Sequence, residues 1–103
     1  MKTKYICYVG LNDQKTESQE ISTLDAFKIV SNFAVEFCRY GTITECIGVY
    51  TYKNGNIGSE NTLKCEFIDV EIEKVKRFCA AVKVALNQES IGFEKVETNF
   101  DFI

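Results

Sequence analysis

Apolar residues recur every three or four positions between Ile72 and Leu86. This stripe of Ile72, Val75, Cys79, Val82 and Leu86, widened by Phe78 and Ala85, predicts an amphipathic helix over about residues 70–86. Glu71, Glu73, Lys74, Lys76, Arg77 and Lys83 fall mostly on its other side, Asp69 is the expected N-cap, and Asn87 the expected stop. Such a helix needs a flat apolar surface to cover. The same period occurs earlier, in Phe27, Val30, Ala34, Phe37 and Cys38, with Ala26, Ile29 and Phe33 on the shoulder. It predicts a first helix over about residues 23–39, opened by Ser22 with Asp25 as a variant capping box and ended by Gly41.

Runs rich in β-branched and aromatic residues supply the flat surface. Strands are predicted over about residues 4–11, 43–52, 62–68 and 90–98, the third alternating Leu63, Cys65 and Phe67 with Lys64 and Glu66. Lys53-Asn54-Gly55-Asn56 separates the second and third, and Asn-Gly is a strong hairpin signal because both residues tolerate positive φ. The order β-α-β-β-α-β predicts one α+β domain, residues 1–103, of ferredoxin-like form. Its four-stranded antiparallel sheet should run in the order 4-1-3-2, with both helices on one face.

Two surfaces follow from that topology. The face away from the helices is left open, and Lys64, Glu66, Tyr8 and Tyr50 are its candidate residues, with Tyr5, Cys7 and Val9 as the other choice of face on the first strand. An apolar or aromatic open face suits self-association, so a homodimer or higher homo-oligomer is expected. The second surface is one end of the sheet, where Asn12 and Asp13 should meet Gln88, Glu89 and Ser90, close to the Asn54-Gly55 turn. The amides at Ser22 and Thr23, opening the first helix at that end, are a candidate anion site. Asn and Asp after a strand also make turns, so the polar end has a purely structural reading beside the ligand-binding one.

Charge narrows the function. Fifteen acidic and twelve basic residues give a net charge of −3, and the lysines are scattered, which argues against nucleic acid as a partner. The first residues lack an apolar core of signal-peptide length, and no apolar run reaches the roughly 18 residues of a membrane span, so a cytoplasmic protein without a membrane partner is expected. The five cysteines are odd in number, lack CxxC spacing and sit in apolar runs, and the chain has no histidine. Small buried hydrophobes are the expected reading, with no metal and no cofactor.

Catalytic sets are sparse. Without histidine there is no Ser-His or Cys-His nucleophile, and Glu71 and Glu73, two apart on a helix, face different ways. Glu45, Glu66 and Glu94 are the remaining carboxylates that neighbouring strands could assemble. The volume beneath the helices is expected to be filled by Phe27, Phe33, Phe37, Phe67 and Phe78. No catalytic residue is assigned, and a non-enzymatic protein is expected.

Several segments carry a resemblance: Tyr8-Val9-Gly10-Leu11-Asn12-Asp13, Gly48-Val49-Tyr50 before the Asn-Gly turn, Glu60-Asn61-Thr62-Leu63, and Leu86-Asn87-Gln88-Glu89-Ser90-Ile91. Together they resemble a family of small proteins of low-GC Gram-positive bacteria (Firmicutes) and their phages and prophages. The resemblance implies a ferredoxin-like fold and a phage setting, with the host cytoplasm as location, and transfers no activity. Two functions are then expected. The first is a phage-type accessory protein acting by binding, to itself or to a host protein, with inhibition of a host defence as an elaboration. The second is an oligomer holding a small polar or nucleotide-like ligand at the Asn12 and Gln88 end, to sequester or transform it.

Overall fold

The computed structural model describes residues 1–51 and 54–103. Its elements are β1 (Lys2–Gly10), α1 (Thr23–Cys38), β2 (Thr42–Thr51), β3 (Ile57–Ile68), α2 (Ile72–Ala85) and β4 (Gly92–Thr98). The strands form one antiparallel sheet in the order β2-β3-β1-β4, the same order as 4-1-3-2, which with its two helices is the ferredoxin-like α+β fold.

Alternation decides what each face of the sheet presents. On β1, Tyr5, Cys7 and Val9 join Leu63, Cys65 and Phe67 of β3 beneath the helices, in the register Tyr5↔Phe67, Cys7↔Cys65 and Val9↔Leu63. α1 adds Ala26, Val30, Ala34 and Cys38, and α2 adds Val75, Phe78 and Val82, followed by Leu86. Phe67 and Phe78 meet edge to face with centroids 4.8 Å apart at the centre of this core.

The helix stripes sit slightly rotated from expectation. Ala26, Val30, Ala34 and Cys38, spaced by four, form the buried row of α1, so Phe33 and Phe37 pack at its margin and Phe27 is 37% exposed. The centre is therefore filled by Phe67 and Phe78, without Phe27. Ser22 caps α1 by accepting the Asp25 amide at 3.1 Å. The helix ends at Arg39, whose φ of 71° turns the chain before Gly41 is reached. Gly41 instead lies against the Phe67 ring, where a Cβ would stand 2.7 Å from a ring carbon. α2 is capped at Glu71 with no side-chain hydrogen bond, and Asp69 occupies a positive-φ turn with its carboxylate 3.9 Å from Lys2 Nζ.

β3 begins at Ile57, earlier than its alternation predicts, and pairs with β2 all the way from Thr42↔Glu66 to Thr51↔Ile57. The hairpin thus runs past the helices and leaves Ile47, Val49 and Ile57 exposed, in a molecule 46 × 25 × 23 Å in extent. At its tip Gly55 has φ 89° and Asn54 Oδ1 accepts the Asn56 amide at 2.9 Å. Tyr52, the expected end of the second strand, and Lys53, the expected first residue of the turn, lie outside the described residues.

The open face carries Lys4, Ile6, Tyr8 and Gly10 from β1 and Lys64 and Glu66 from β3. It is laced with polar contacts: Lys4 Nζ to Glu66 Oε1 at 3.3 Å, and Tyr8 Oη donating to Glu94 Oε1 at 3.0 Å. That bond to Glu94 pushes the Tyr8 phenol above its ordinary pKa. Glu45 pairs with Leu63 and so belongs to the helix side, while Ile6 sits between Glu66 and Glu94, so the three carboxylates are not assembled. Phe100 and Phe102 of the tail edge a cleft with Tyr40 and Ile68 at the far end of the sheet, and Phe102 remains 76% exposed. Among the described residues, no helix is long and apolar enough to cross a membrane.

Candidate functional site

The chain leaving β1 is held by an unusual contact. Gly10 has no side chain, and the Glu60 carboxylate lies over its Cα, so close that an added Cβ would stand 2.4 Å from Glu60 Oε1. From there Glu60 Oε2 accepts the Asn12 amide at 3.0 Å. The Asn12 carbonyl in turn accepts from Gln88 Nε2 at 2.7 Å, and Gln88, only 7% exposed, ties the end of α2 to the loop after β1.

Asp13 organises the next residues. Its Oδ1 accepts the Lys15 amide at 2.8 Å and the Thr16 amide at 3.2 Å, and its Oδ2 accepts from Asn87 Nδ2 at 2.8 Å. Gln14 completes the tie, donating from its amide to the Asn87 carbonyl at 3.0 Å and from Nε2 to Asn87 Oδ1 at 2.8 Å. Asn87 itself has φ 48°, a conformation that asparagine tolerates better than most residues. The Asn87 side chain, followed by the Lys15 and Thr16 amides, holds the Asp13 carboxyl below the usual aspartate range. A folded-state value below the unfolded one adds stability above the ordinary range and loses it as the pH falls through the depressed value. Titration should therefore shift the Lys15 and Thr16 amide resonances with a midpoint below the ordinary aspartate range. A midpoint at or above the ordinary value would contradict this account.

These ties frame a cleft of about 250 Å³ lined by Asn12, Asp13, Gln14, Glu17, Tyr50, Glu60, Gln88, Glu89 and Ser90. The structure brings all five predicted polar-end residues into this one cleft, and adds Tyr50, expected only as part of the open sheet face. Tyr8, Lys64 and Glu66 lie farther along that face and do not line it. Glu60 and Glu17 were not among the site residues expected from the sequence, although Glu60 opens one of the segments that carry the resemblance. The signal for Glu60 is its pairing with Gly48, two residues along β3 from Thr62, the register partner of Gly10, which becomes visible only once β3 is known to begin at Ile57.

Charge selects what the cleft can hold. Asp13, Glu17, Glu60 and Glu89 supply four carboxylates, and no described lining residue is a lysine or arginine. Ser22 and Thr23, the candidate anion site at the start of α1, do not line this cleft, and the Ser22 hydroxyl already accepts the Asp25 amide. Tyr50 is the one aromatic side chain among the described lining residues, and Asn12, Gln88 and Ser90 offer neutral donors and acceptors. The cleft therefore suits a polar, cationic ligand with a flat group to lay against a ring. Among the described residues, no group of three or more Cys, Asp or Glu is arranged to hold a metal ion.

No family model matches the chain, nor does any curated protein. Solved structures do share its fold. A phage SAM lyase in complex with S-methyl-5'-thioadenosine superposes with a TM-score of 0.70 at 22% identity, covering 93% of this chain and 81% of that one. The apo state of a phage SAM lyase gives 0.61 at 20% identity, with 91% and 78% covered. CutA from Synechococcus elongatus PCC7942 gives 0.60 at 13% identity, with 94% and 76% covered. The lyase comparison overturns the expectation of a non-enzymatic protein. That expectation rested on missing histidine and nucleophile sets, and the same scaffold carries a lyase.

Proposed function

We propose that this chain is a lyase for a sulfonium nucleoside of the S-adenosylmethionine type, releasing S-methyl-5'-thioadenosine, with the acidic cleft at the Asn12 and Gln88 end as its site. The observation that carries this reading is the cleft's charge: four carboxylates and one aromatic ring, with no lysine or arginine among its described lining residues. The shared fold with a phage SAM lyase supports it.

The chemistry accounts for the sparse catalytic set. The bond between the sulfonium sulfur and the γ-carbon of the amino-acid chain breaks, and its electron pair stays on sulfur, which becomes a neutral thioether. The γ-carbon is satisfied within the departing fragment, by attack of that fragment's own carboxylate to close a lactone. No hydrogen is transferred, and no protein base or nucleophile is consumed. Because the sulfur loses its charge in the transition state, a carboxylate held against it would stabilise the substrate more than the transition state and slow the reaction. Glu60, Glu89 and their neighbours therefore serve the substrate's ammonium and ribose hydroxyls, while Tyr50 takes the adenine face, a stacking contact worth about 1–3 kcal/mol. The protein's work is to bend and hold the chain so that carboxylate and γ-carbon meet.

Incubating the purified protein with S-adenosylmethionine should yield S-methyl-5'-thioadenosine and a lactone of unchanged hydrogen content, read by chromatography and mass spectrometry. Intact substrate after prolonged incubation with folded protein would sink the reading. Substrate that binds, raising the melting temperature, and yet stays intact would favour the second function expected from the sequence, a sequestering protein for a nucleotide-like ligand.

The reading also fits a phage setting. An enzyme that consumes a methyl donor acts on its host by removing a substrate, which gives the host-directed role a route that needs no host protein partner. We further propose that the chain self-associates through the open face and the projecting hairpin, whose Ile47, Val49 and Ile57 are exposed. Sedimentation velocity should give a dimer or larger species, and a monomer at high concentration would refute self-association.

A further inference from the structure

A thiol pair lies outside the lining of the acidic cleft. Cys7 on β1 and Cys79 on α2 bring their sulfurs to 3.4 Å across the interface between sheet and helix. The two are unequal in access. Cys7 is wholly buried in the core, whereas Cys79 is partly exposed and lines a surface cleft of about 340 Å³ with Lys76, Ala80, Lys83, Ser90 and Ile91. They are unequal in acidity too. A hydrogen bond from Cys7 holds the Cys79 thiol below its ordinary pKa, and the same bond, with burial, pushes Cys7 up. A partly exposed thiol, beside a second sulfur at 3.4 Å and in a cleft lined by two lysines, has the surroundings of a reactive cysteine.

The other cysteines lack this combination. Cys38 and Cys65 are buried, and burial pushes their thiols up to about 11 and about 12. Cys46 sits on the open face with its sulfur directed at the Thr62 carbonyl, 3.5 Å away.

We propose that Cys7 and Cys79 form a hydroperoxide-reactive pair, in which Cys79 is oxidised first and Cys7 resolves it into an internal disulfide. The Cys79 thiolate attacks one peroxide oxygen, and the O–O bond breaks with its electron pair leaving on the other oxygen as hydroxide. Cys79 is then a sulfenic acid. The Cys7 sulfur gives up its proton and attacks the Cys79 sulfur, and the S–O bond breaks as water departs. Overall two thiols lose two electrons and two protons, and one hydroperoxide is reduced. The sulfurs need to close from 3.4 Å to about 2.05 Å, a movement in the range of side-chain rotation. The bond would join β1 to α2, the two elements that carry Asn12 and Gln88 to the cleft.

The test treats the folded protein with a small excess of hydrogen peroxide and reads intact mass and a non-reducing peptide map. The expected product has lost two hydrogens, links the Cys7 and Cys79 peptides, and reverts with dithiothreitol. In Cys7→Ala the same treatment should leave a sulfenic acid on Cys79 that dimedone traps, and in Cys79→Ala neither the link nor the trapped residue should form. The proposal is overturned by oxygen addition at Cys79 with Cys7 still open to alkylation in the wild type, by a link between other cysteines, or by no reaction.

Discussion

Phe67→Ala is expected to destabilise the protein by about 3–5 kcal/mol, the largest loss that any single side chain in this fold should cause. The ring is fully buried, meets Phe78 edge to face at 4.8 Å, and lies against Gly41, whose missing Cβ makes room for it. It is the contact at which sheet, α2 and the turn after α1 all meet. Truncation removes the transfer energy of the ring, leaves a cavity, and strips Phe78 of an aromatic pair worth about 0.5–1.5 kcal/mol. Because a domain of this size is stable by only about 5–15 kcal/mol, the melting temperature should fall by roughly 15–30 °C. Thermal unfolding followed by circular dichroism measures it. Phe102→Ala is the control, an exposed aromatic whose loss should change stability by less than about 0.5 kcal/mol. Comparable losses for the two variants would mean that the core is not centred on Phe67.

Most of the architecture was legible because its determinants are local. The stripe from Val75 to Leu86, the Ser22 cap and the alternation of Leu63, Cys65 and Phe67 each depend on neighbours within a few residues, and sheet order and helix side follow from handedness. The early start of β3 was not legible. Gly58-Ser59-Glu60-Asn61 is poor in strand formers and lies ahead of the strand expected from Thr62, yet the ladder Tyr50↔Gly58, Val49↔Ser59 and Gly48↔Glu60 holds it extended. Pairing across the hairpin overrides propensity there, and with it goes the position of Glu60.

The candidate site divides in the same way. That Asn12 and Asp13 meet Gln88, Glu89 and Ser90 followed from topology alone. That Tyr50 and Glu60 join them required the register of a strand whose start was hidden. The exclusion of catalysis searched for groups that donate or accept protons, whereas on the proposed reading the substrate carries its own leaving group and its own nucleophile and needs mainly to be held. The charge and shape of the cleft are spread over four separate segments of the sequence.

Gly10→Ala should cost the site far more than the fold. The new Cβ would stand 2.4 Å from Glu60 Oε1 and 2.6 Å from Oε2. Those atoms end a flexible side chain, so Glu60 swings aside and the sheet survives, but the carboxylate leaves the Asn12 amide and its place on the cleft wall. On the proposed reading a displacement of this size lowers turnover of S-adenosylmethionine by about 10²-fold, because an ångström of misplacement is enough to separate reacting atoms. Glu60→Asp alone should also impair turnover, by pulling the carboxylate short. Combined with Gly10→Ala, however, the shorter side chain makes room for the methyl group, so the double variant should be more active than the product of the two single losses predicts. The Asn12 amide resonance reports the geometry independently of activity: it should shift in Gly10→Ala and return toward its native position in the double variant. Native turnover with a shifted amide would remove Glu60 from the site while leaving the packing intact, whereas an unshifted amide would mean that Glu60 does not rest on Gly10.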